Sequence, residues 1–544
     1  MSAPATAGAA PTSVHVRMYR ALLPSAADPG KKYNGMLGDC FLIRLANGDS
    51  RSHILIDCGL LLGSPDAKNR AVAIADDIAK TCGGRLDLVV VTHEHWDHIS
   101  GFSYAESVFF DPDKLKIGKV WMAWTEDPDD VDAKALRAKF DKSGQAFAMI
   151  AQRLADEPIA GLNAGRALDG LQGFLGEPGT LVAAPASVGV PAEQAAATSG
   201  ALAGRDILAR LKSVAKTDYL APIKADRTTT AGNVTQTPGD VSLRTYVLGP
   251  PREWTRLSKD KPSSGADMQE TYLDTPSLGQ ALLGFAGGDD QLAAADGPFA
   301  PQFSRRKLAA FTTHGQAPPD DGDAAWLVER YFQPDIGRRW RFPASADARV
   351  KAEATAKRQA ISDRRRIDGE WLASAGALAM KLDSDTNNTS LVLAFDLPGG
   401  DAMLFAADAQ VGNWLSWHDQ TYGEGESALD AASILQRVRF YKVGHHGSHN
   451  ATLDKKGLAL MTHPELVAAI PTDEELGRKQ GRGGWQMPNP RVQTALMERT
   501  KGQILRNDRH YVDPSKRHDD LKAVKQEFFD LIDETEIYID FKVL

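Results

Sequence analysis

The sequence predicts an α/β (α+β) fold, a four-layer αββα sandwich that two large insertions interrupt. Strand-like apolar runs follow one another through the first 125 residues, and strand and helix signals alternate again from about residue 382. Between these parts the alternation is lost, except at one strand-like segment, Ser242–Leu248. Two packed sheets with helices on their outer faces are the economical architecture for such a chain.

These patterns divide the chain into six ranges. They are a flexible tail (1–12), the N-terminal half of the core (13–125), a mainly helical insertion (126–240), a core strand (241–251), a second insertion with a basic stretch (252–381) and the C-terminal half of the core (382–544). The tail is rich in Ala, Pro, Ser and Thr. Because it lacks a basic start and a sustained apolar stretch, it does not have the pattern of a signal peptide.

Five strands are predicted in the N-terminal half, from apolar and β-branched runs bounded by turn residues. They lie near His15–Tyr19, Cys40–Leu45, His53–Asp57, Leu88–Thr92 and Lys119–Trp124. A helix-like stretch, Ala71–Lys80, separates the third of these strands from the fourth. Helical spacing then marks Asp132–Asp156 in the first insertion.

The C-terminal half resumes the alternation of strands and helices. A strand ends at Asp408, a helix lies near Ala428–Val438, and the next strand ends near Val443. A further helix is predicted at Leu521–Asp533 and a final strand at Glu536–Val543. This half should therefore complete the sandwich.

The most informative segment of the chain runs from His93 to His98, directly after a predicted strand, and reads His-Glu-His-Trp-Asp-His. Three of the 13 histidines and an aspartate fall within these six residues. A loop that leaves the rigid end of a strand can fold back so that these side chains converge. Imidazole and carboxylate groups together suit zinc, or a comparable first-row metal, far better than a hydrophobic core. The segment predicts a metal site.

The segment also resembles a known signature. His-x-His-x-Asp-His after an apolar strand is similar to the metal motif of the metallo-β-lactamase superfamily of hydrolases, and further similar motifs follow in the order of that family. They are Asn34–Ile43, Ile54–Gly59, Met403–Asp408 and Tyr441–Ser448. With Asn387–Leu393 upstream, the Lys-Val-Gly-His-His-Gly-Ser form is most similar to the metallo-hydrolase domain of bacterial competence DNA-uptake proteins. The resemblance implies a metallo-β-lactamase-like sandwich.

The resemblance also implies a set of ligands. His93 and His95 would bind one metal ion, Asp97 and His98 a second one, and Asp408 would bridge the two. One or two zinc ions, or manganese, would then supply a metal-bound hydroxide near neutral pH. Asp97 and Asp408 are accordingly candidate catalytic residues as well as ligands. Without the family, Asp408 could equally cap the end of its strand.

The adjacent residues His445 and His446 leave one strand, so their side chains point in different directions and do not easily bind the same metal. Alignment on the final His-Gly dipeptide favours His446 as the ligand. His445 is then a catalytic candidate that faces substrate, where it could donate a hydrogen bond or a proton. A third histidine for the first metal is not visible, and Asn387 and Asn388 stand at the corresponding point. Two alternatives follow for the first metal. Either water or an amide oxygen completes its coordination, or the chain binds only one metal ion.

Four more residues are candidates for contacts behind the ligands or with substrate. Asp57 is expected to orient a ligand histidine through its free ring nitrogen, with a capped turn as the alternative. Asp39 lies beside a predicted tight turn, and Ser448 and His449 follow the last metal motif. For these three residues a role within the turn is the alternative.

Composition bears on which partners the protein binds and on the compartment in which it is expected. The net charge of −8 gives no overall attraction to phosphate backbones, so nucleic acid would need a local basic patch. Arg338–Arg366 is such a stretch, with ten Lys or Arg against three acidic residues, although a solvated helix face is its usual meaning. Three cysteines without paired spacing predict no disulfide framework and a reducing, cytoplasmic compartment. No run reaches the ~18 apolar residues that cross a bilayer.

The sequence thus predicts a metal-dependent hydrolase, with phosphodiester bonds as the first choice of substrate. A nuclease or a nucleotide phosphodiesterase would have nucleic acid or a nucleotide as its partner. The alternative is a small-molecule hydrolase of an ester, lactone, amide or thioester, because the same chemistry serves those bonds. A third class is a scaffold or binding protein with a degenerate metal site. The oligomeric state is not predicted.

Overall fold

The computed structural model describes residues 8–22, 36–61, 64–141, 202–222, 233–259, 384–478 and 486–544. Most of both predicted insertions, including Arg338–Arg366, lies outside these residues, as do the first seven residues of the predicted tail. All described residues belong to one compact unit of the chain.

The described residues form nineteen strands, which are numbered in chain order. Their bounds are β1 Ser13–Tyr19, β2 Cys40–Asn47, β3 Ser50–Cys58, β4 Arg85–Leu86, β5 Leu88–Val90, β6 Lys116–Ile117, β7 Lys119–Ala123, β8 Lys216–Leu220, β9 Val234–Gln236, β10 Arg244–Gly249, β11 Val392–Asp396, β12 Ala402–Phe405, β13 Thr421–Tyr422, β14 Leu429–Asp430, β15 Val438–Lys442, β16 Val467–Ile470, β17 Ile504–Arg506, β18 Ile532–Glu534 and β19 Tyr538–Lys542.

Two large sheets contain most of these strands. The first sheet has the order β18-β19-β1-β2-β3-β5-β7-β8, and the second has the order β17-β16-β15-β12-β11-β10-β9. Strands β3, β5, β7 and β8 are parallel, and so are β12, β15, β16 and β17. The remaining neighbours in both sheets are antiparallel.

Helices connect the strands. Their bounds are α1 Ala67–Thr81, α2 Trp96–Tyr104, α3 Glu106–Phe109, α4 Leu202–Val214, α5 Trp254–Leu257, α6 Val411–Trp417, α7 Ala431–Gln436, α8 Glu474–Arg478, α9 Pro490–Thr500 and α10 Gln526–Phe529. Residues 131–141 and 384–388 are also helical. No helix in the described ranges is long and apolar enough to cross a membrane.

Three hydrophobic clusters show how the layers stack. One cluster joins the facing sides of the two sheets, where the rings of Phe41 and Phe405 meet edge to face at 5.7 Å. A second cluster packs α1, α2 and α4 on the outer face of the first sheet. A third packs α6, α7 and α9 on the outer face of the second sheet. The order helix, sheet, sheet, helix confirms the predicted αββα sandwich.

The range 126–240, predicted to be a mainly helical insertion, contains the helical residues 131–141 and helix α4. It also contains β8 and β9, each of which pairs into one of the two large sheets. Leu521–Asp533 was predicted to be helical, but it contains only the short helix α10 before β18 begins. At the end of Leu521–Asp533, Ile532 and Asp533 pair with β19, which satisfies their backbone groups in a strand and not in a helix.

Candidate metal centre

The candidate ligands follow the carboxyl ends of strands in both sheets. Residues 91–95 lead from β5 into α2, whose first turn holds Asp97 and His98. In the second sheet, Asp408 comes three residues after β12, and His446 comes four residues after β15. Because the carboxyl ends of parallel strands meet at one sheet edge, these loops bring together side chains that are far apart in sequence.

Four of the predicted metal ligands form one buried group. They are Asp97, His98, Asp408 and His446, and one donor atom from each lies within 4.8 Å of all the others. His446 Nε2 lies 2.8 Å from Asp97 Oδ2, and His98 Nε2 lies 3.2 Å from Asp408 Oδ2. All four side chains are almost fully buried. The fold therefore brings together four residues that could hold a metal ion.

The backbone adopts left-handed conformations in the loops that follow β12 and β15 and carry the candidate ligands of the second sheet. The φ angles of Ala407, His445 and His446 are +47°, +44° and +52°. Such angles cost energy for residues with a Cβ atom, and they persist where the surrounding structure holds them. They separate the two adjacent imidazoles, whose ring centroids are 6.0 Å apart and whose planes differ by 58°. The Nε2 atom of His446 thereby faces Asp97.

The charges of the group favour a cation. Burial opposes ionisation of Asp97, but His98 and His446 outweigh it and hold the pKa of this carboxyl well below its usual range. Burial also disfavours a charged His98, yet Asp408, Asp39 and Asp97 outweigh it and raise its pKa well above the usual value. Carboxylates thus dominate this buried site, and positive charge is stabilised there.

The donor set fits a divalent metal ion. Asp97 Oδ1 is a buried acceptor that has no hydrogen-bond partner among the described residues. Two imidazole nitrogens and two carboxylate oxygens are the ligands that zinc and related first-row ions take in four-coordinate sites. Asp97, His98, Asp408 and His446 are therefore the residues that would hold the ion.

Hydrogen bonds behind the two histidines set which nitrogen faces the group. The Nδ1 atom of His446 lies 2.8 Å from the carbonyl oxygen of Pro471, so that nitrogen must donate its hydrogen and Nε2 faces Asp97. The Nδ1 atom of His98 lies 2.8 Å from Asp57 Oδ2 in the same way. Asp57 also accepts hydrogen bonds from Thr92 N and Thr92 Oγ1. Asp57 thus holds the ring of His98 from behind, and its role in orienting a metal ligand stays a prediction.

His93 and His95 lie next to the group but do not belong to it. The ring of His93 is 4.7 Å from that of His95 and 4.2 Å from that of His98, centroid to centroid. Burial lowers the pKa of both residues, that of His95 to about 4, so both are neutral imidazoles at neutral pH. Among the described residues, no third donor gathers with them within the distance that unites the other four.

The remaining candidates occupy different places around the centre. Asn388 binds the loop after Asp408, because its Oδ1 accepts from Gln410 N and its Nδ2 donates to Lys259 O. Asn387 is buried in the helical residues 384–388.

Two more candidates are Ser448, which ends the last motif, and His449, which follows it. The Oγ atom of Ser448 donates to Asn450 Oδ1, and His449 is exposed. A contact of either residue with substrate stays a prediction.

Sequence reasoning assigned no role to Lys442, although it lies within the last motif. Its side chain is 1% exposed and forms an ion pair with Asp39. Asp39 in turn lies 3.7 Å from His98 Nδ1 and 3.8 Å from His446 Nδ1, measured from its two carboxylate oxygens. A lysine at the end of a predicted buried strand was the available signal, because lysine is rarely buried without a partner.

Comparison with known families agrees with this geometry. Residues 33–187, which include the motif from His93 to His98, match the family model of the metallo-beta-lactamase superfamily. This match supports a metallo-β-lactamase-like fold in the N-terminal part of the chain. Members of this superfamily are mostly hydrolases and generally bind divalent metal ions.

No curated protein matches the chain, and the similarity to competence proteins stays a prediction. Asp408, His445 and His446 lie beyond the matched residues. The place of Asp408 and His446 in the centre rests on their distances from His98 and Asp97, and that of His445 on its distance from Asp408.

Proposed function

We propose that the chain is a metal-dependent hydrolase of phosphodiester bonds, either a nuclease or a nucleotide phosphodiesterase. The observation that carries the proposal is the buried four-donor group of Asp97, His98, Asp408 and His446. The choice of phosphodiesters is supported by the similarity of the Lys-Val-Gly-His-His-Gly-Ser motif to competence-type hydrolases. The basic stretch Arg338–Arg366 is a second, independent support.

Zinc or manganese is the proposed cofactor, as one or two ions. When bound, such an ion acidifies a coordinated water and polarises the oxygen of the bond to be cleaved. Asp97 and Asp408 offset the charge of the ion, and His98 and His446 add nitrogen donors. Asp57 and the carbonyl group of Pro471 hold those two rings in place from behind.

Three histidines complete the proposal. If two ions bind, His93 and His95 are the proposed donors for the ion that the four-donor group does not hold. They lie beside that group as neutral imidazoles. His445 lies with its Nε2 atom 3.9 Å from Asp408 Oδ2, and we assign to it a hydrogen bond to a substrate oxygen. Nucleic acid or a nucleotide is the proposed partner. The three cysteines are free and buried, which is compatible with a reducing cytoplasm.

The test compares hydrolysis of several substrates by the full chain loaded with zinc or manganese. The substrates are bis-p-nitrophenyl phosphate, single-stranded DNA, RNA and p-nitrophenyl esters. We expect turnover of the phosphodiesters, and a loss of about a hundredfold or more in Asp408→Asn, which corresponds to about 2.7 kcal/mol of barrier. Asp401→Asn is the matched control, because this half-buried aspartate directly precedes the opposite end of β12.

Each result has a defined meaning. Cleavage of esters alone would replace the proposal with a small-molecule hydrolase, for which the overall negative charge is the supporting observation. Absence of bound metal together with absence of turnover would favour a scaffold protein. Equal turnover in Asp408→Asn and Asp401→Asn would remove Asp408 from the proposed centre.

A further inference from the structure

The ammonium group of Lys442 lies buried behind the four-donor group. Its Nζ atom pairs with Asp39, donates a hydrogen bond to the carbonyl oxygen of Ala407 at 3.0 Å and lies 3.5 Å from Asp408 Oδ1. The exposed fractions of Lys442, Asp39 and Asp408 are 1%, 2% and 1%. A buried ammonium is unfavourable unless it is paired and hydrogen-bonded, and here both conditions hold.

The two oxygens of Asp408 have different surroundings. Oδ1 faces Lys442 and accepts a hydrogen bond from the backbone N–H of His445 at 3.1 Å. Oδ2 lies on the other side, 3.2 Å from His98 Nε2 and 3.9 Å from His445 Nε2. The carboxylate is thus held at one oxygen and open to the ligand group at the other.

Lys442 also holds the turn that carries Asp408. Ala407 has a left-handed φ of +47°, and its carbonyl oxygen accepts from Lys442 Nζ and from the N–H of His445. These two hydrogen bonds stabilise a conformation that an alanine rarely adopts. Asp39, which precedes β2 of the first sheet, anchors the ammonium group from the other side.

We propose that Lys442, anchored by Asp39, is a positioning residue that fixes Asp408 so that only Oδ2 is presented to the metal. This inference rests on the proposed function, since it assumes that the group binds a metal ion. It goes beyond the prediction that Asp408 bridges two ions, because it assigns different tasks to the two oxygens. Asp408 serves as a ligand through one oxygen, while the other oxygen is used to orient the side chain.

The direction of the change in metal affinity distinguishes positioning of Asp408 from a simple effect of the charge of Lys442. A positive charge beside a cation site repels the cation, so removal of that charge alone strengthens metal binding. If Lys442 positions Asp408, its removal weakens metal binding, because Asp408 then has to be ordered when the ion binds. The two explanations predict opposite changes in the dissociation constant.

The experiment titrates metal-free full-length protein with zinc, and separately with cobalt(II) as a spectroscopic probe. Lys442→Met removes both the charge and the donor, whereas Lys442→Gln keeps an N–H donor. Lys119→Met is the matched control, since Lys119 lies in β7 and forms an ion pair with Asp218 at the edge of the first sheet. Thermal unfolding of each variant reports whether it is folded.

We expect Lys442→Met to bind zinc at least about tenfold more weakly, which is about 1.4 kcal/mol. Its cobalt(II) absorption should change, because a released carboxylate can coordinate through both oxygens. Lys442→Gln should lie between Lys442→Met and the wild type, and Lys119→Met should bind as the wild type does. If Lys442→Met does not fold, the same comparison is made with Lys442→Gln.

Three results would overturn the inference. Equal or tighter zinc binding with an unchanged cobalt spectrum would show that Lys442 does not position Asp408. A wild-type chain that binds neither metal would overturn the proposed function and this inference with it. Weak binding in Lys119→Met as well would assign the loss to general destabilisation and would also contradict a specific role for Lys442.

Discussion

His445 and His446 show how backbone conformation divides the roles of two adjacent residues. Both have left-handed φ angles, and as a result their rings face different parts of the centre. His446 contacts Asp97 through Nε2 and is held from behind by Pro471. His445 lies with its Nε2 atom near Asp408 Oδ2. His446 has the arrangement of a ligand whose other nitrogen is already engaged.

Replacement of each histidine should separate these roles. His446→Ala removes a member of the four-donor group, so we expect zinc affinity to fall by at least about a hundredfold, the upper limit for loss of a supporting hydrogen bond alone. His445→Ala should retain metal and lose turnover. Metal content after dialysis, measured by elemental analysis, is the readout. The exposed neighbour His449 provides the control variant His449→Ala.

The reverse result would be equally informative. If His445→Ala loses metal and His446→Ala keeps it, the assignment of the two rings is wrong. The two-residue comparison needs no knowledge of the natural substrate, because metal content is measured on the protein alone.

At the scale of elements, a buried carboxylate links three strands and a helix. Asp540 of β19 pairs with Arg17 of β1 and with Arg44 of β2, and Arg17 also contacts Asp77 of α1 at 2.6 Å. Burial opposes ionisation of Asp540, but the hydrogen bond from His15 and the charge of Arg44 outweigh it. Its pKa is therefore held well below the usual range.

This pKa predicts a loss of stability in acid. A carboxyl whose pKa is lower in the folded state than the unfolded value of about 3.9 stabilises the fold above that value. The contribution is lost as the pH falls below about 4 toward the folded pKa. We expect Asp540→Asn to lower the free energy of unfolding by about 2 kcal/mol at pH 6 and by less at pH 3. Urea unfolding at both pH values measures this difference.

The control for this experiment lies on the neighbouring strand. Asp533 of β18 is directly opposite Asp540 in the ladder, but it is exposed, so Asp533→Asn should change stability little at either pH. A difference between Asp540→Asn and the wild type that is the same at pH 6 and pH 3 would contradict the assigned pKa.

At the scale of the whole molecule, the candidate centre joins the two sheets. Asp97 and His98 follow a strand of the first sheet, and Asp408 and His446 follow strands of the second. An ion held by all four residues would therefore connect the two halves of the sandwich. If the ion binds only to the folded chain, the free energy of unfolding depends on the metal concentration.

We expect zinc to raise the midpoint of thermal unfolding and a chelator to lower it. At a free zinc concentration of 100 times Kd, the gain in the free energy of unfolding is about 2.7 kcal/mol. His446→Ala should show a much smaller difference between zinc and chelator, which separates this site from nonspecific binding. Identical midpoints of the wild type in zinc and in chelator would argue that the four donors do not bind metal in the folded state.

The sequence by itself determined the donor types and the positions from which they leave the strands. The motif from His93 to His98 is local, so its spacing after an apolar strand was sufficient to predict a metal site. Most strands and the αββα order were predictable for a similar reason, because alternation and apolar runs are short-range signals. Strand β18, which begins within Leu521–Asp533, was not, since its pairing with β19 decides it.

Only the tertiary structure decided which side chains meet. The contact between Asp97 and His446 joins residues 349 positions apart, and no local pattern encodes such a distance. The pairing of Lys442 with Asp39 and the different surroundings of the two Asp408 oxygens depend in the same way on two sheets that pack face to face. Donor identity is a property of the chain, whereas donor geometry is set by the long-range packing that brings several strand ends to one edge.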